Sequence, residues 1–180
     1  MRILVDQDGV IANFEDGLIR GLMDRNITPI PLKERRNFKA KDDYPYELSQ
    51  TINEIITSPG FYRNLNPLEG AIQSLKELAS LGHEVFVCTS PLGTYDNCVL
   101  EKYHWVEKHI GGNWINRLIL TKDKTLINGD ILIDDNPLIK GVAKPSWKQV
   151  IYDQPYNKHI ECKKRFSWDM GIETLMGYLG

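Results

Sequence analysis

The sequence predicts an α/β fold: a mostly parallel sheet covered by helices on both faces, with a small helical insert after the first strand. Three observations predict it. Short apolar runs alternate with longer segments of helical spacing, the pattern of parallel strands joined by crossover helices. Polar groups capable of chemistry follow those runs at their C-terminal ends, where open α/β sheets bind ligands. Roughly fifty residues separate Ile11 from Pro67, too many for a structureless loop.

The elements follow in order. The first strand is Ile3–Val5, which ends abruptly at Asp6. In the insert, Leu18, Ile19, Leu22 and Met23 follow helical spacing, and Leu48, Ile52, Ile55 and Ile56 do so again. Pro29, Pro31 and Pro45 punctuate the stretch between them. The spacing of Ala71, Ile72, Leu75, Leu78 and Ala79 predicts a helix over Leu68–Leu81, stopped by Gly82. Val85–Cys88 is the second strand, and Glu101–Ile110 the next helix. Leu118–Leu120, Ile131–Ile133 and Val150–Tyr152 complete the predicted sheet. Asp153 to Lys164 is polar and reads as loop; Trp168–Leu179 reads as a closing helix. The chain therefore divides into a core, residues 1–14 and 67–180, and a helical cap, residues 15–66.

Composition sets the outer bounds. With 180 residues, 42% of them hydrophobic and 26% charged, the chain can bury the core of one globular domain with a small appendage. A formal net charge of −2 argues against a nucleic-acid polymer or an anionic membrane as partner. No apolar stretch is long enough to span a bilayer, and the N-terminal run meets Asp6 too soon for a signal peptide. Three cysteines without paired spacing, Cys88, Cys98 and Cys162, fit a reducing compartment, so a cytoplasmic location is expected. Cys88, inside an apolar run, reads as a buried packing thiol. His83, His104, His109 and His159 show no ligand-like spacing, and Trp105 and Trp147 read as core fillers.

Four places carry the chemistry. They are Asp6-Gln7-Asp8-Gly9, then Thr89-Ser90-Pro91, then Lys122-Asp123-Lys124, and finally Asp130 to Asp135. Each alone has a plainer reading: a turn or a helix cap for the aspartates and Thr-Ser-Pro, a solvated face for the lysine pair. Together, at strand ends, they match what phosphoryl transfer needs. A phosphoryl group is dianionic, and several carboxylates around it call for a hard divalent cation, which Mg²⁺ supplies. A lysine adds a point charge on the phosphate, and hydroxyl and backbone N–H groups complete the cradle. One aspartate can act as nucleophile and a second can move the proton.

Asp6-Gln7-Asp8-Gly9-Val10, Thr89-Ser90, Lys124 and Asp134-Asp135 resemble, in order, the four motifs of the haloacid dehalogenase superfamily. The resemblance is closer still to the 5'(3')-deoxyribonucleotidases. It runs through Ala12 and Phe14, Cys88-Thr89-Ser90-Pro91, Glu101 to Lys108, Leu120 to Thr125, Leu132 to Asp135, and Pro145-Ser146-Trp147. It implies a Rossmann-like, haloacid dehalogenase-like core and a Mg²⁺-dependent phosphatase of deoxyribonucleoside monophosphates. Asp6 is then the nucleophile and Asp8 the acid/base. The metal ligands are Asp6, the Asp8 carbonyl and Asp134. Thr89, Ser90, Lys124 and Gly9 bind phosphate, with Lys122 bordering phosphate and sugar. Phe14 and Phe38 line the nucleoside pocket, while Asp135 and Asp130 stand behind the metal ligands. Where the family's better-known members carry an aromatic residue after Phe38, this chain has Lys39, which leaves base preference open. A homodimer is compatible with the resemblance. Two alternatives remain at this point: a phosphatase of another small ester such as a sugar phosphate, and a phosphoacceptor signalling domain. The second is disfavoured because the Asp-x-Asp comes first here and the acidic pair last.

Overall fold

The computed structural model describes residues 1–161 and 164–178. Cys162 and Leu179 lie outside the described residues. Among the described residues, six parallel strands form one sheet in the order β3-β2-β1-β4-β5-β6. They are β1 (Arg2–Val5), β2 (Glu84–Thr89), β3 (Leu118–Leu120), β4 (Ile131–Asp134), β5 (Lys148–Tyr152) and β6 (Arg165–Phe166). The first five are the strands the apolar runs predict. β6 went unread because two residues have no periodicity; it pairs along the edge of β5, Tyr152 opposite Phe166.

Among the described residues, five α-helices accompany the sheet: α1 (Phe14–Met23), α2 (Ser49–Ile56), α3 (Ala71–Ser80), α4 (Cys98–His109) and α5 (Ile172–Gly177). The polar stretch read as loop also holds a single 3-10 turn, Pro155–Asn157. The predicted closing helix is divided. A 3-10 turn, Trp168–Met170, precedes α5, and Gly171 between them takes φ +76°, a conformation a helix cannot contain.

Alternation along the strands sorts side chains to two faces. Ile3, Val5, Val85, Val87, Ile131 and Ile133 face one way and pack against α3, α4 and α5 through Leu75, Trp105, Val106 and Leu175. Leu4, Cys88 and Leu132 face the other way, where Trp147 covers them with Ile127 and Ile139 alongside. The expectation of helices on both faces is therefore met unevenly: α-helices cover one face, and the other has a 3-10 turn (Lys124–Leu126) and loops. Cys88 is buried as expected, and burial pushes its thiol up to about 12. Trp105 and Trp147 are buried too, donating to Leu65 O and Lys124 O. Among the described residues no helix is long and apolar enough to cross a membrane.

The insert has a core of its own. Leu18 and Leu22 of α1 pack against Ile52 and Ile55 of α2, with Ala40 and Tyr44 from the intervening turns. Its two ends run side by side. Asn13 N–H donates to Asn66 O at 2.7 Å, and Leu68 N–H donates to Ile11 O at 2.8 Å. Glu101 of α4 pins the returning chain by accepting from the N–H groups of Gly60 (2.6 Å) and Tyr62 (3.1 Å).

Candidate active site

Register places the chemistry. Val5 stands opposite Val87 of β2 and Ile133 of β4, so Asp6, Thr89 and Asp134 reach the same C-terminal edge of the sheet. Chain order runs β1, β2, β3 to one side and β4, β5, β6 to the other, so this edge is the switch point where such sheets bind ligands. A cavity of about 840 Å³ opens there, roofed by the insert.

The structure brings nearly all the predicted residues to that cavity: Asp6, Asp8, Gly9, Thr89, Ser90, Lys122, Lys124, Asp134 and Asp135 on the sheet side, and Phe14, Phe38 and Lys39 on the insert side. Asp130 is the exception. It precedes β4 at the opposite end of the sheet, where it accepts a hydrogen bond from Arg2 N–H at 2.6 Å. Its nearness in sequence to Asp134 misled, because a strand carries its two ends apart.

Lys124 sits at the centre of the acidic edge, buried, with Nζ 2.8 Å from Asp6 and 2.5 Å from Asp134. Burial works against its charge, but the two carboxylates outweigh that and hold its pKa above the usual lysine range. Asp123 shapes the turn that presents it, accepting from Thr125 N–H at 2.9 Å. Oxygens of Asp6, Asp134 and Asp135 lie within 4.8 Å of one another. Burial, then the charge of Asp6, push Asp134 up to about 6 despite Lys124. Burial and the charges of Asp134 and Asp6 raise Asp135 well above the carboxylate range.

The two members of the acidic pair differ in what they have left. Asp134 is committed: Oδ2 takes Lys124 Nζ and Oδ1 takes Asn136 N–H at 2.9 Å. Asp135 has Tyr156 Oη donating to Oδ2, while its Oδ1 is buried without a partner. The sequence expectation had Asp134 as metal ligand with Asp135 behind it; both carboxylates belong to the acidic group, and Asp135 keeps an oxygen without a hydrogen bond.

Asp8 lives in a different environment. Its Oδ2 is 2.5 Å from Lys102 Nζ on α4, and its Oδ1 has no partner. Burial raises its pKa, and Lys102 only partly offsets this. Thr89 is buried, and its Oγ1 accepts from the same ammonium at 2.9 Å. Gly9 lines the cavity, and its N–H donates to Ala12 O at 2.9 Å within the loop. Glycine is required there: φ is +74°, and a Cβ would lie 2.5 Å from Asp135 Oδ2 and 2.8 Å from Tyr156 Oη.

Several residues at the site were not read from the sequence. Lys102 left one signal: it sits with Cys98, Trp105 and Val106 on the buried stripe of α4, where an unpaired lysine does not belong. Tyr156 left none within a polar run. Nor did Arg35, which is buried between Glu15 of α1 and Asp43 (2.5 Å), with its guanidinium 5.4 Å from the Tyr156 ring centroid. Phe38 meets the same ring edge-on at 6.2 Å. Tyr156 thus joins the insert to Asp135.

The family model described as 5' nucleotidase, deoxy (pyrimidine), cytosolic type C protein matches residues 1–176. A putative 5'(3')-deoxyribonucleotidase of Bordetella bronchiseptica is 47% identical, covering 99% of this chain and 97% of the relative. The human cytosolic-type 5'(3')-deoxyribonucleotidase is 41% identical over 89% of this chain and 83% of its own length. Among solved structures, a haloacid dehalogenase family hydrolase from Deinococcus radiodurans, with bound phosphate and sodium, superposes with a TM-score of 0.60. It is 10% identical, covers 99% of this chain and 96% of that one, and so shows the shared fold.

Proposed function

The chain belongs to the family of 5'(3')-deoxyribonucleotidases, and from that premise we propose that it hydrolyses deoxyribonucleoside monophosphates to nucleoside and phosphate. The reaction runs through an aspartyl-phosphate on Asp6 and uses Mg²⁺. Phosphate esters at the 5' position, and also at 3', are its substrates. One observation carries the reading: two aspartates two residues apart stand in separate environments, Asp6 against Lys124 and the acidic pair, Asp8 against Lys102 with one free oxygen.

The residues fit a divalent cation. Three carboxylates lie within 4.8 Å of one another, the ammonium of Lys124 pairs with two of them, and the uncompensated charge favours a further cation among oxygen donors. Asp6, the free Oδ1 of Asp135 and the Asp8 carbonyl would hold it, with Asp134 fixing Lys124. When bound, it offsets the repulsion between these carboxylates and the phosphoryl oxygens.

The protein's own groups do the rest. A carboxylate oxygen of Asp6 attacks phosphorus as the ester P–O bond breaks. Asp8, whose raised pKa suits it to carry a proton, gives that proton to the departing oxygen. Asp8 then takes a proton from water, the water oxygen attacks phosphorus, and the bond to Asp6 breaks to release inorganic phosphate. Thr89, Ser90 and Lys124 hold the phosphate oxygens. The insert, residues 15–66, covers the reaction and lines the nucleoside side with Phe14, Phe38 and Lys39. The setting is cytoplasmic, and the substrate is a small molecule.

Steady-state phosphate release from a panel of nucleoside and sugar monophosphates with Mg²⁺ tests the assignment. Deoxyribonucleoside monophosphates are expected to give the highest kcat/KM. Preference for a sugar phosphate would replace the substrate and leave the chemistry standing. Tyr156→Phe removes the hydrogen bond that orients Asp135. Calorimetric titration of that variant is expected to show Mg²⁺ binding weakened by about 10- to 100-fold; unchanged affinity would remove Asp135 from the ligand set.

A further inference from the structure

We propose that Lys102 is a positioning residue for proton transfer: its ammonium, bonded at once to Asp8 and Thr89, aims the free Asp8 oxygen and the Thr89 hydroxyl hydrogen at the transferring phosphoryl group. The proposal rests on the phosphatase reading above and adds a residue that acts through the catalytic groups.

Lys102 is 0% exposed and does not line the cavity, although Asp8 and Thr89 both do. It therefore touches no substrate. A buried ammonium is costly unless paired, and within ion-pair reach among the described residues it has one carboxylate, Asp8, at 2.5 Å. The second contact has a directional consequence. An ammonium has only donors, so at 2.9 Å Thr89 Oγ1 must accept from it. The single hydroxyl hydrogen of Thr89 is then free to donate elsewhere, and Thr89 lines the cavity.

The same logic applies to Asp8. Its carboxyl group could turn about the last side-chain bond and exchange its two oxygens. With Oδ2 held by Lys102, the exchange is blocked, and Oδ1 remains without a partner on a residue that lines the cavity. α4 keeps the ammonium in place. Cys98, Trp105 and Val106 bury the same face of the helix, Gln7 Nε2 donates to Lys102 O, and the Tyr62 ring centroid lies 5.1 Å from Nζ.

Leaving-group chemistry separates this role from simple charge compensation. A nucleoside leaves through an alkyl oxygen that needs the proton of Asp8. A p-nitrophenyl group leaves as a stable phenolate and needs none. We would compare kcat/KM for a deoxynucleoside 5'-monophosphate and for p-nitrophenyl phosphate in the wild type, Lys102→Met and Lys102→Gln. In both variants the nucleotide value is expected to fall by about 10²-fold, within the usual contribution of general acid catalysis, and the aryl value by less than about tenfold. The ratio of the two values within one preparation does not depend on how much of the variant is folded. Equal losses on the two substrates would overturn the role of Lys102 alone. A wild type that hydrolyses neither substrate would overturn the functional reading and this proposal with it.

Discussion

Asp6→Asn is expected to lower phosphate release by at least about 10³-fold, because an amide oxygen cannot form the acyl-phosphate bond. The substitution keeps the side-chain shape, and Asp6 N–H still donates to Ile133 O at the end of β1. It removes one ion pair from Lys124, but Asp134 remains at 2.5 Å as its partner. The fold should therefore survive, which a thermal melt would confirm. Acid quench during turnover of a phosphate-labelled substrate is expected to trap label on the wild type and none on the variant. More than about a tenth of the wild-type rate in Asp6→Asn would exclude it as nucleophile.

Chelation is the second large effect. EDTA should bring turnover to background, and added Mg²⁺ should restore it. Stability should follow the same cation with a defined pH dependence. Burial and neighbouring carboxylates push Asp134 up to about 6 in the folded protein and raise Asp135 well above its ordinary value of 3.8, which both groups keep in the unfolded chain. Both values are raised on folding. Without a divalent cation, the contribution of these groups is therefore fully present below about pH 4 and is lost as pH rises through 6. A cation binds the ionised carboxylates, so its stabilising effect grows across that same interval. At a hundred times its dissociation constant it adds about 2.7 kcal/mol, or about 5–10 °C in Tm for a chain of this size. Melts at pH 5 and pH 8, each with Mg²⁺ or EDTA, would measure the difference. No increment at pH 8, or an equal one at both, would argue that Asp6 and Asp135 do not form a cation site.

Legibility differed from element to element for physical reasons. β1, β2 and β4 were readable because a buried parallel strand must be apolar on both faces, as Ile3-Leu4-Val5 and Ile131-Leu132-Ile133 are. The insert was readable from its length and from Leu18, Leu22, Ile52 and Ile55, which pack on one another as their spacing implied. β6 was not, because its two residues are held by an edge that β5 supplies. Asp130 was misplaced because sequence shows which groups a segment carries, but not where its hydrogen bonds go.

The sequence by itself determined that carboxylates, a hydroxyl and a lysine would meet at one edge of a parallel sheet. That conclusion needs only local runs and the rule that strand ends line the crevice. Tertiary structure alone decided how those groups are paired. Lys102 reaches Asp8 across 94 residues of chain, and Tyr156 reaches Asp135 across 21. Each pairing depends on where α4 or the turn after β5 comes to rest, a matter of packing that the spacing of residues does not encode. Those pairings leave Asp8 one free oxygen and Asp135 another, and on those two oxygens the acid/base and cation assignments stand.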